Sequence, residues 1–172
     1  MKKNLSFAVS TLLGTGYFPK APGTAGSLVS LIPIFFVCFY LGQTGLIFLI
    51  FAAFAAGMIA VKETLKHTQH DPGFIVIDEL VGQAITFIPV AEILHNNAND
   101  WWIYFVGFIF FRLFDVWKPF PIKSVDKKVI SAFGVMLDDI IAGIYASSML
   151  YAITYIYVIR FKELNELMKL GN

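Results

Sequence analysis

Long apolar runs, broken by short polar segments, make up most of this sequence. Residues 27–61 contain no charged side chain, and a polar, glycine-flanked break falls near their middle at residues 42–45. A single helix of that length would overshoot a bilayer core of about 30 Å, so the run predicts a hairpin of two membrane-spanning helices. Three further apolar stretches predict helices over residues 80–94, 101–114 and 140–159.

Composition agrees with this interpretation. The 172-residue chain is 58% hydrophobic and 15% charged, with a mean hydropathy of +0.72. Such values are typical of an integral membrane protein. We therefore predict an all-α, polytopic membrane bundle with four or five apolar helices, forming a single domain over residues 1–172. The N-terminus lacks the small-residue cleavage site of a signal peptide, and we expect a retained interfacial helix there.

The placement of basic residues predicts the orientation, because lysines and arginines near helix ends stay on the cytoplasmic side. They fall before the first predicted span, after the second and after the fourth, at Lys2, Lys3, Lys20, Lys62, Lys66, Lys118, Lys123, Lys127 and Lys128. The two opposite turns, residues 42–45 and 95–100, contain neither lysine nor arginine. The basic loops are therefore expected in the cytoplasm, although a fifth full span would place Arg160, Lys162 and Lys169 outside. The net charge of +1 gives no indication of nucleic-acid binding.

Two acid pairs interrupt the apolar runs. Asp78-Glu79 and Asp138-Asp139 each follow three apolar residues and precede two more. Two unit charges about 4 Å apart repel by roughly 4 kcal/mol at an effective dielectric of 20, and burial near lipid adds to that cost. A bound metal ion, a proton or basic partners must offset the charge.

A segment rich in glycine, proline and hydroxyl groups, residues 14–27, directly precedes the first span. Glycines let backbone amides approach an anion, and a helix N-terminus adds partial positive charge, so this segment is suited to cradle a phosphate. A tight turn in which Thr24 or Ser27 caps the helix is the structural alternative. Asp71, which precedes a proline, is interpreted as a turn or helix-cap residue.

Three charged residues fall on one broad face of a helix at the end of the apolar stretch over residues 101–114. Arg112, Asp115 and Lys118 are spaced so that one acid lies between two bases. An interfacial salt-bridge strip with snorkelling side chains also explains the pattern. The proline residues at 119 and 121 would end the helix.

The predicted topology gathers all four polar segments at the cytoplasmic face. Oxygen ligands without clustered histidine or cysteine favour a hard cation such as Mg²⁺, which binds through a few carboxylates plus substrate phosphate. The candidate catalytic acids are Asp78, Glu79, Asp115, Asp138 and Asp139. The candidate phosphate-binding residues are Arg112, Lys118, Lys20, Gly23, Thr24, Gly26 and Ser27. The sequence thus predicts a site for a phosphorylated ligand in the cytoplasmic leaflet.

The residues that several other enzyme classes require are missing from this sequence. Cys38 has no arginine in its loop, which excludes a cysteine-nucleophile phosphatase, and His67, His70 and His95 do not form the histidine pair of histidine-based lipid phosphatases. The arginine of the CDP-alcohol transferase motif and a Walker nucleotide loop are missing as well. An ion- or proton-coupled transporter is the alternative, for which Glu92, near the opposite side, is a candidate. A non-catalytic lipid-binding protein is the third class.

Four motifs stand in order along the chain. They are APGTAGS at residues 21–27, IDELVG at 77–82, FRLFD at 111–115 with the lysine and prolines that follow, and GVMLDDIIAG at 134–143. Together they resemble the phosphatidylglycerophosphatase A family of bacterial membrane phosphatases, over residues 14–143. The resemblance implies Mg²⁺-dependent removal of the terminal phosphate from phosphatidylglycerophosphate, giving phosphatidylglycerol and inorganic phosphate, at the cytoplasmic face of the bacterial inner membrane.

The hypothesis for the mechanism assigns Mg²⁺ to Asp78, Glu79, Asp138 and Asp139. The nucleophile is either a metal-activated water or a carboxylate that forms a phosphoaspartate, and Asp115 is either a metal ligand or a general base. The lipid tails would extend between apolar helices. The sequence gives no indication of the oligomeric state.

Overall fold

The computed structural model describes residues 3–68, 73–96, 100–124 and 131–170, with the side chains of residues 159 and 161–170 left out of the description. These residues form helices and turns without a β-strand, which confirms the predicted all-α fold. Lys2, His70, Asp71, Lys127 and Lys128, which the sequence analysis singled out, lie outside the described residues.

The described helices are numbered in chain order. They are α1 (Lys3–Ser10), α2 (Pro22–Leu65), α3 (Ile77–Phe87), α4 (Ala91–Asn96), α5 (Trp101–Trp117) and α6 (Ala132–Leu170), with 3-10 turns at Thr15–Tyr17 and Ile88–Val90.

Helix α2 is a hairpin that reverses at Gly42, where the backbone leaves helical geometry with φ 57° and ψ −149°. A Cβ built on Gly26 would lie 2.7 Å from Val76, and one on Gly57 would lie 3.3 Å from Ile77. In a straight helix, positions 26 and 57 would be about 46 Å apart and could not reach adjacent residues. The predicted break at this position is therefore confirmed.

Helix α4 closes the turn of the hairpin. Glu92 Oε1 accepts a 3.0 Å hydrogen bond from the Gln43 backbone N–H, at the start of the second arm. His95 Nδ1 lies 2.8 Å from the Phe39 carbonyl, at the end of the first arm. An acid thus meets a helix N-terminus and a histidine meets a helix C-terminus, which is the arrangement that the helix dipole favours.

The helix predicted over residues 80–94 is split in the structure. Helix α3 ends at Phe87, a 3-10 turn containing Pro89 follows, and α4 completes the segment. Proline lacks a backbone N–H and disrupts regular helix geometry, which accounts for the division. The three pieces together follow the hairpin along its length, since Ile77 packs near Gly57 and Glu92 reaches the turn.

Glycines let α3, α5 and α6 pack closely. A Cβ on Gly143 would strike the Gly82 carbonyl oxygen, and one on Gly82 would lie 2.6 Å from the Asp139 carbonyl oxygen. On α5, a Cβ at Gly107 would lie 2.5 Å from the Phe87 ring. The backbones of α3 and α6 therefore approach closely at Gly82 and Gly143.

Two of the described helices are long and apolar enough to cross a membrane, namely α2 and the Ala132–Val158 part of α6. Large apolar side chains are exposed along both, for example Phe48 at 76% and Ile156 at 60%. Such surfaces are expected against lipid, so the structure supports a membrane protein. The number of four or five apolar helices stays a prediction.

Candidate active site

The five predicted acids converge at the end of the bundle opposite the hairpin turn. Asp78 and Glu79 lie in the first turn of α3, Asp115 lies near the end of α5, and Asp138 and Asp139 lie near the start of α6. The carboxylates of Asp78 and Asp139 are both close enough to those of Glu79, Asp115 and Asp138 to interact with them electrostatically. Helices α3 and α6 run the same way and α5 runs against them, and this brings the acids together.

Three of these acids form a compact group. Single carboxylate oxygens of Asp115, Asp138 and Asp139 all lie within 4.8 Å of one another. These residues are buried, with exposures of 9%, 8% and 4% respectively. Metal–oxygen distances of about 2.0–2.6 Å place ligand oxygens up to about 4–5 Å apart, so the group has the spacing and donor chemistry for one hard cation.

Glu79 has a different partner. Its Oε2 lies 2.6 Å from Arg112 Nη1, and it accepts a 2.6 Å hydrogen bond from Ser27 Oγ. Arg112 Nη1 also lies 2.7 Å from Asp115 Oδ2. The sequence hypothesis assigned Glu79 to the metal and left Asp115 as ligand or base. In the structure both Glu79 and Asp115 contact Arg112, and Asp115 also lies in the compact group with Asp138 and Asp139. Which of these acids bind a metal stays a prediction.

Lys118 reaches the acids of α6. Its Nζ lies 2.8 Å from Asp138 Oδ2, with only 27% of the lysine side chain exposed. Its backbone adopts a left-handed conformation, φ 46° and ψ 60°, and its N–H donates to the Phe114 carbonyl at 2.9 Å. This turn ends α5 just before Pro119 and aims the lysine across at α6. Within the predicted strip, Asp115 therefore contacts Arg112, whereas Lys118 pairs with Asp138 on α6.

Electrostatic repulsion marks the start of α3. The Glu79 N–H donates to Asp78 Oδ1 at 3.0 Å. Burial, reinforced by the Glu79 and Asp138 carboxylates, raises the pKa of Asp78 well above its usual range. Burial also raises the pKa of Glu79 to about 7, against the lowering effect of Arg112. Two cations do not neutralise five carboxylates, so the cluster favours a further positive charge.

The predicted phosphate-binding residues at the start of α2 and just before it fall into two groups. A Cβ on Gly23 would crowd the Glu79 carboxylate and lie 3.5 Å from Arg112 Nη1, so this first turn of α2 borders the acids. Ser27 lies one turn further and bonds Glu79. Gly26 serves packing, since Val76 leaves no room for a side chain there.

The other group is Lys20 and Thr24, which point elsewhere. Both are exposed and line a groove of about 620 Å³ on the outer side of α2. Their predicted role at the same phosphate as Arg112 is not supported by any contact among the described residues.

One buried polar residue near the site was not among the predicted site residues. Gln83 lies one helical turn from Glu79 and is fully buried, and its amide has no hydrogen-bond partner among the described residues. Arg112 Nε is also buried without such a partner there. The position of Gln83 inside a predicted apolar span was the sequence signal that could have identified this residue.

Residues considered for other functions have structural explanations. Glu92 caps the hairpin, as described above, so its position needs no transport role. His67, just after the end of α2, has its Nε2 3.6 Å from the Glu63 carboxylate in a partly exposed ion-pair geometry. Cys38 is buried in the apolar core.

The chain is similar in sequence to several known proteins. The family model described as phosphatidylglycerophosphatase A matches residues 8–154. Proteins named phosphatidylglycerophosphatase A are similar to the chain in Escherichia coli K12, at 36% identity over 81% of this chain and 78% of the relative, and in Haemophilus influenzae Rd, at 39% over 83% and 84%. A Bacteroides thetaiotaomicron protein, 31% identical over 83% of this chain and 89% of its own, is provisionally named a phosphatidylinositol-3-phosphatase. No solved structure matches the chain.

Proposed function

Because the chain belongs to the phosphatidylglycerophosphatase A family, we propose that it is a Mg²⁺-dependent phosphatase that converts phosphatidylglycerophosphate to phosphatidylglycerol and inorganic phosphate. The observation that carries the proposal is the convergence of Asp115, Asp138 and Asp139 beside two cationic side chains. This combination favours hydrolysis of a phosphomonoester, because the negative charge on the phosphate is neutralised while the alcohol leaves.

The acid group fits the proposed metal. Asp115, Asp138 and Asp139 would hold Mg²⁺, because they offer three carboxylate oxygens at a suitable spacing. When bound, the ion would supply charge neutralisation on the phosphate and lower the pKa of a coordinated water.

Arg112 and Lys118 would bind the remaining phosphate oxygens. Arg112 is held by Glu79 and Asp115, at 2.6 and 2.7 Å, so its guanidinium is oriented before substrate arrives. Lys118 is held by Asp138 in the same way. Amides in the first turn of α2, near Gly23, add donors on the side of Arg112.

The nucleophile is one of two groups. Either a water attacks phosphorus after losing its proton to a carboxylate, or a carboxylate attacks and the resulting phosphoaspartate is hydrolysed by water. In both routes the bond from phosphorus to the glycerol oxygen breaks, and that oxygen takes up a proton to give phosphatidylglycerol.

The proposed location is the bacterial cytoplasmic membrane, crossed several times, with the site at the cytoplasmic face. Basic side chains support this orientation, because Lys62 and Lys66 flank Thr64, whose hydroxyl is 3.0 Å from that of Ser10. The Ser10 carbonyl in turn accepts a 2.8 Å hydrogen bond from Val76, two residues before Asp78. The lysines and the acids therefore share one end of the bundle.

Phosphate release from purified protein in detergent tests the function. We expect release from phosphatidylglycerophosphate that stops with EDTA and returns with Mg²⁺, and that falls by about 100-fold or more in Asp138→Asn. Metal-independent activity, or full activity in that variant, would contradict the mechanism. Faster release from phosphatidylinositol 3-phosphate would contradict the substrate assignment.

A further inference from the structure

A groove lies beside the acid cluster, on the outer face of the first arm of α2. It has a volume of about 620 Å³ and is formed by the connector after α1 and the first two turns of α2. Its lining includes Tyr17, Phe18, Lys20, Thr24 and Leu28.

The groove has the character of a lipid-binding surface. Tyr17, Phe18 and Leu28 are exposed at 59%, 59% and 57%, and they form its apolar wall. Lys20 and Thr24 supply its polar groups. Aromatic and aliphatic side chains beside a lysine are typical of the boundary between lipid headgroups and acyl chains.

The groove and the acids lie on different sides of the start of α2. Gly23 faces the Glu79–Arg112 ion pair, whereas the next residue, Thr24, lines the groove. Adjacent helix positions point about 100° apart, so a ligand that wraps the start of α2 contacts both sides. Phosphatidylglycerophosphate has two phosphates joined by a single glycerol, which gives it one group for each side.

We propose that this groove binds the phosphodiester and the adjoining acyl chain of the lipid substrate. Lys20 and Thr24 hold the phosphodiester, and Leu28 and the two aromatic rings contact the acyl chain. Arg112 and Lys118 hold the terminal phosphate. The inference rests on the proposed function and extends it, because it assigns Lys20 and Thr24 to a different phosphate from the one that is removed.

Kinetics in neutral detergent micelles without other anionic lipid test the assignment. Inorganic phosphate, a product, serves as the probe of the terminal-phosphate site alone. In Lys20→Gln we expect the KM for phosphatidylglycerophosphate to rise about fivefold, while the inhibition constant of phosphate stays unchanged. Lys62→Gln, an exposed lysine at the same end, is the matched control and should leave the KM unchanged.

A second pair of variants tests the acyl contact. Leu28→Ser should raise the KM, whereas Ile59→Ser, which changes a residue of similar exposure (59% against 57%) on the other arm, should not. The inference is overturned if the phosphate inhibition constant rises together with the KM in Lys20→Gln, since Lys20 would then contact the terminal phosphate. It is also overturned if Lys62→Gln matches Lys20→Gln, or if Ile59→Ser matches Leu28→Ser. Failure of the proposed function is recognised separately, by unaltered protein that releases no phosphate from this lipid.

Discussion

Arg112 and Glu79 form an ion pair of 2.6 Å between α5 and α3, and Ser27 of α2 donates a hydrogen bond to the same carboxylate oxygen. Three helices therefore meet at one acid. Because that acid already has two close partners, its chief role in the structure is to orient the arginine. The proposed Mg²⁺ site is therefore assigned to the neighbouring carboxylates of Asp115, Asp138 and Asp139.

Glu79→Gln is expected to separate these two roles. The amide keeps the shape of the side chain but removes the charge that holds Arg112, so kcat/KM should fall about 10- to 100-fold. The Mg²⁺ concentration for half-maximal activity should change little. Asp139→Asn is the comparison variant and should raise that concentration at least about tenfold. If Glu79→Gln raises the Mg²⁺ requirement as much as Asp139→Asn does, Glu79 is a metal ligand after all.

Mg²⁺ is expected to stabilise the folded protein, independently of activity. A ligand at 100 times its Kd adds about 2.7 kcal/mol to the free energy of unfolding, so the Tm in detergent should rise when Mg²⁺ replaces EDTA. Asp115→Asn should lose most of this rise, because only two of the three carboxylates proposed to bind the ion would remain. Asp100→Asn, before α5 at the opposite end, should keep it. An equal rise in both variants would mean that the ion binds elsewhere.

The sequence was sufficient to find the acids but not to assign their partners. Asp78, Glu79, Asp138 and Asp139 stand out because charge is rare in apolar runs, and four motifs in order indicated the family. Helical periodicity places a residue on a face without naming its neighbour. The pairing of Glu79 with Arg112 depends on how α3 and α5 pack, and that packing follows from contacts far apart in the sequence.

Local geometry accounts for the remaining differences. Residues 23 and 24 are adjacent in the sequence, yet the 100° step of a helix turns Thr24 away from the acids. Pro89 indicates the break in the helix predicted over residues 80–94, but the continuous apolar pattern around it favoured an unbroken helix. The capping role of Glu92 requires that α4 docks on the turn of the hairpin, which no local pattern indicates.

Gly42→Ala is expected to destabilise the hairpin. Gly42 has φ 57°, and a Cβ there would lie 2.9 Å from Glu92 Oε1. The strain and the displaced cap should lower the free energy of unfolding by about 1–3 kcal/mol. Thermal unfolding in detergent measures this loss. Gly73→Ala is the control, because a Cβ at Gly73 would meet nothing within 4 Å. Equal melting temperatures for the two variants would contradict the proposed role of the turn.

Gly143→Ala is expected to damage the site from a distance. Its new Cβ would strike the Gly82 carbonyl oxygen and push α6 away from α3. Asp139 lies one turn from Gly143 and Glu79 lies about one turn from Gly82, so this contact sets the spacing between the two acid pairs. A displacement of about 1 Å at a reacting centre can cost about 100-fold in rate, and we expect a fall of that order in kcat/KM.

The matched control for that variant is Ile144→Ala, which trims the next residue of the same helix at a side chain that is 50% exposed. It should leave kcat/KM within about twofold, because surface substitutions usually have small effects. A Mg²⁺ titration of Gly143→Ala adds a second readout, since separated carboxylates should also bind the ion more weakly. If Gly143→Ala keeps full activity and an unchanged Mg²⁺ requirement, the α3–α6 contact does not position the acids.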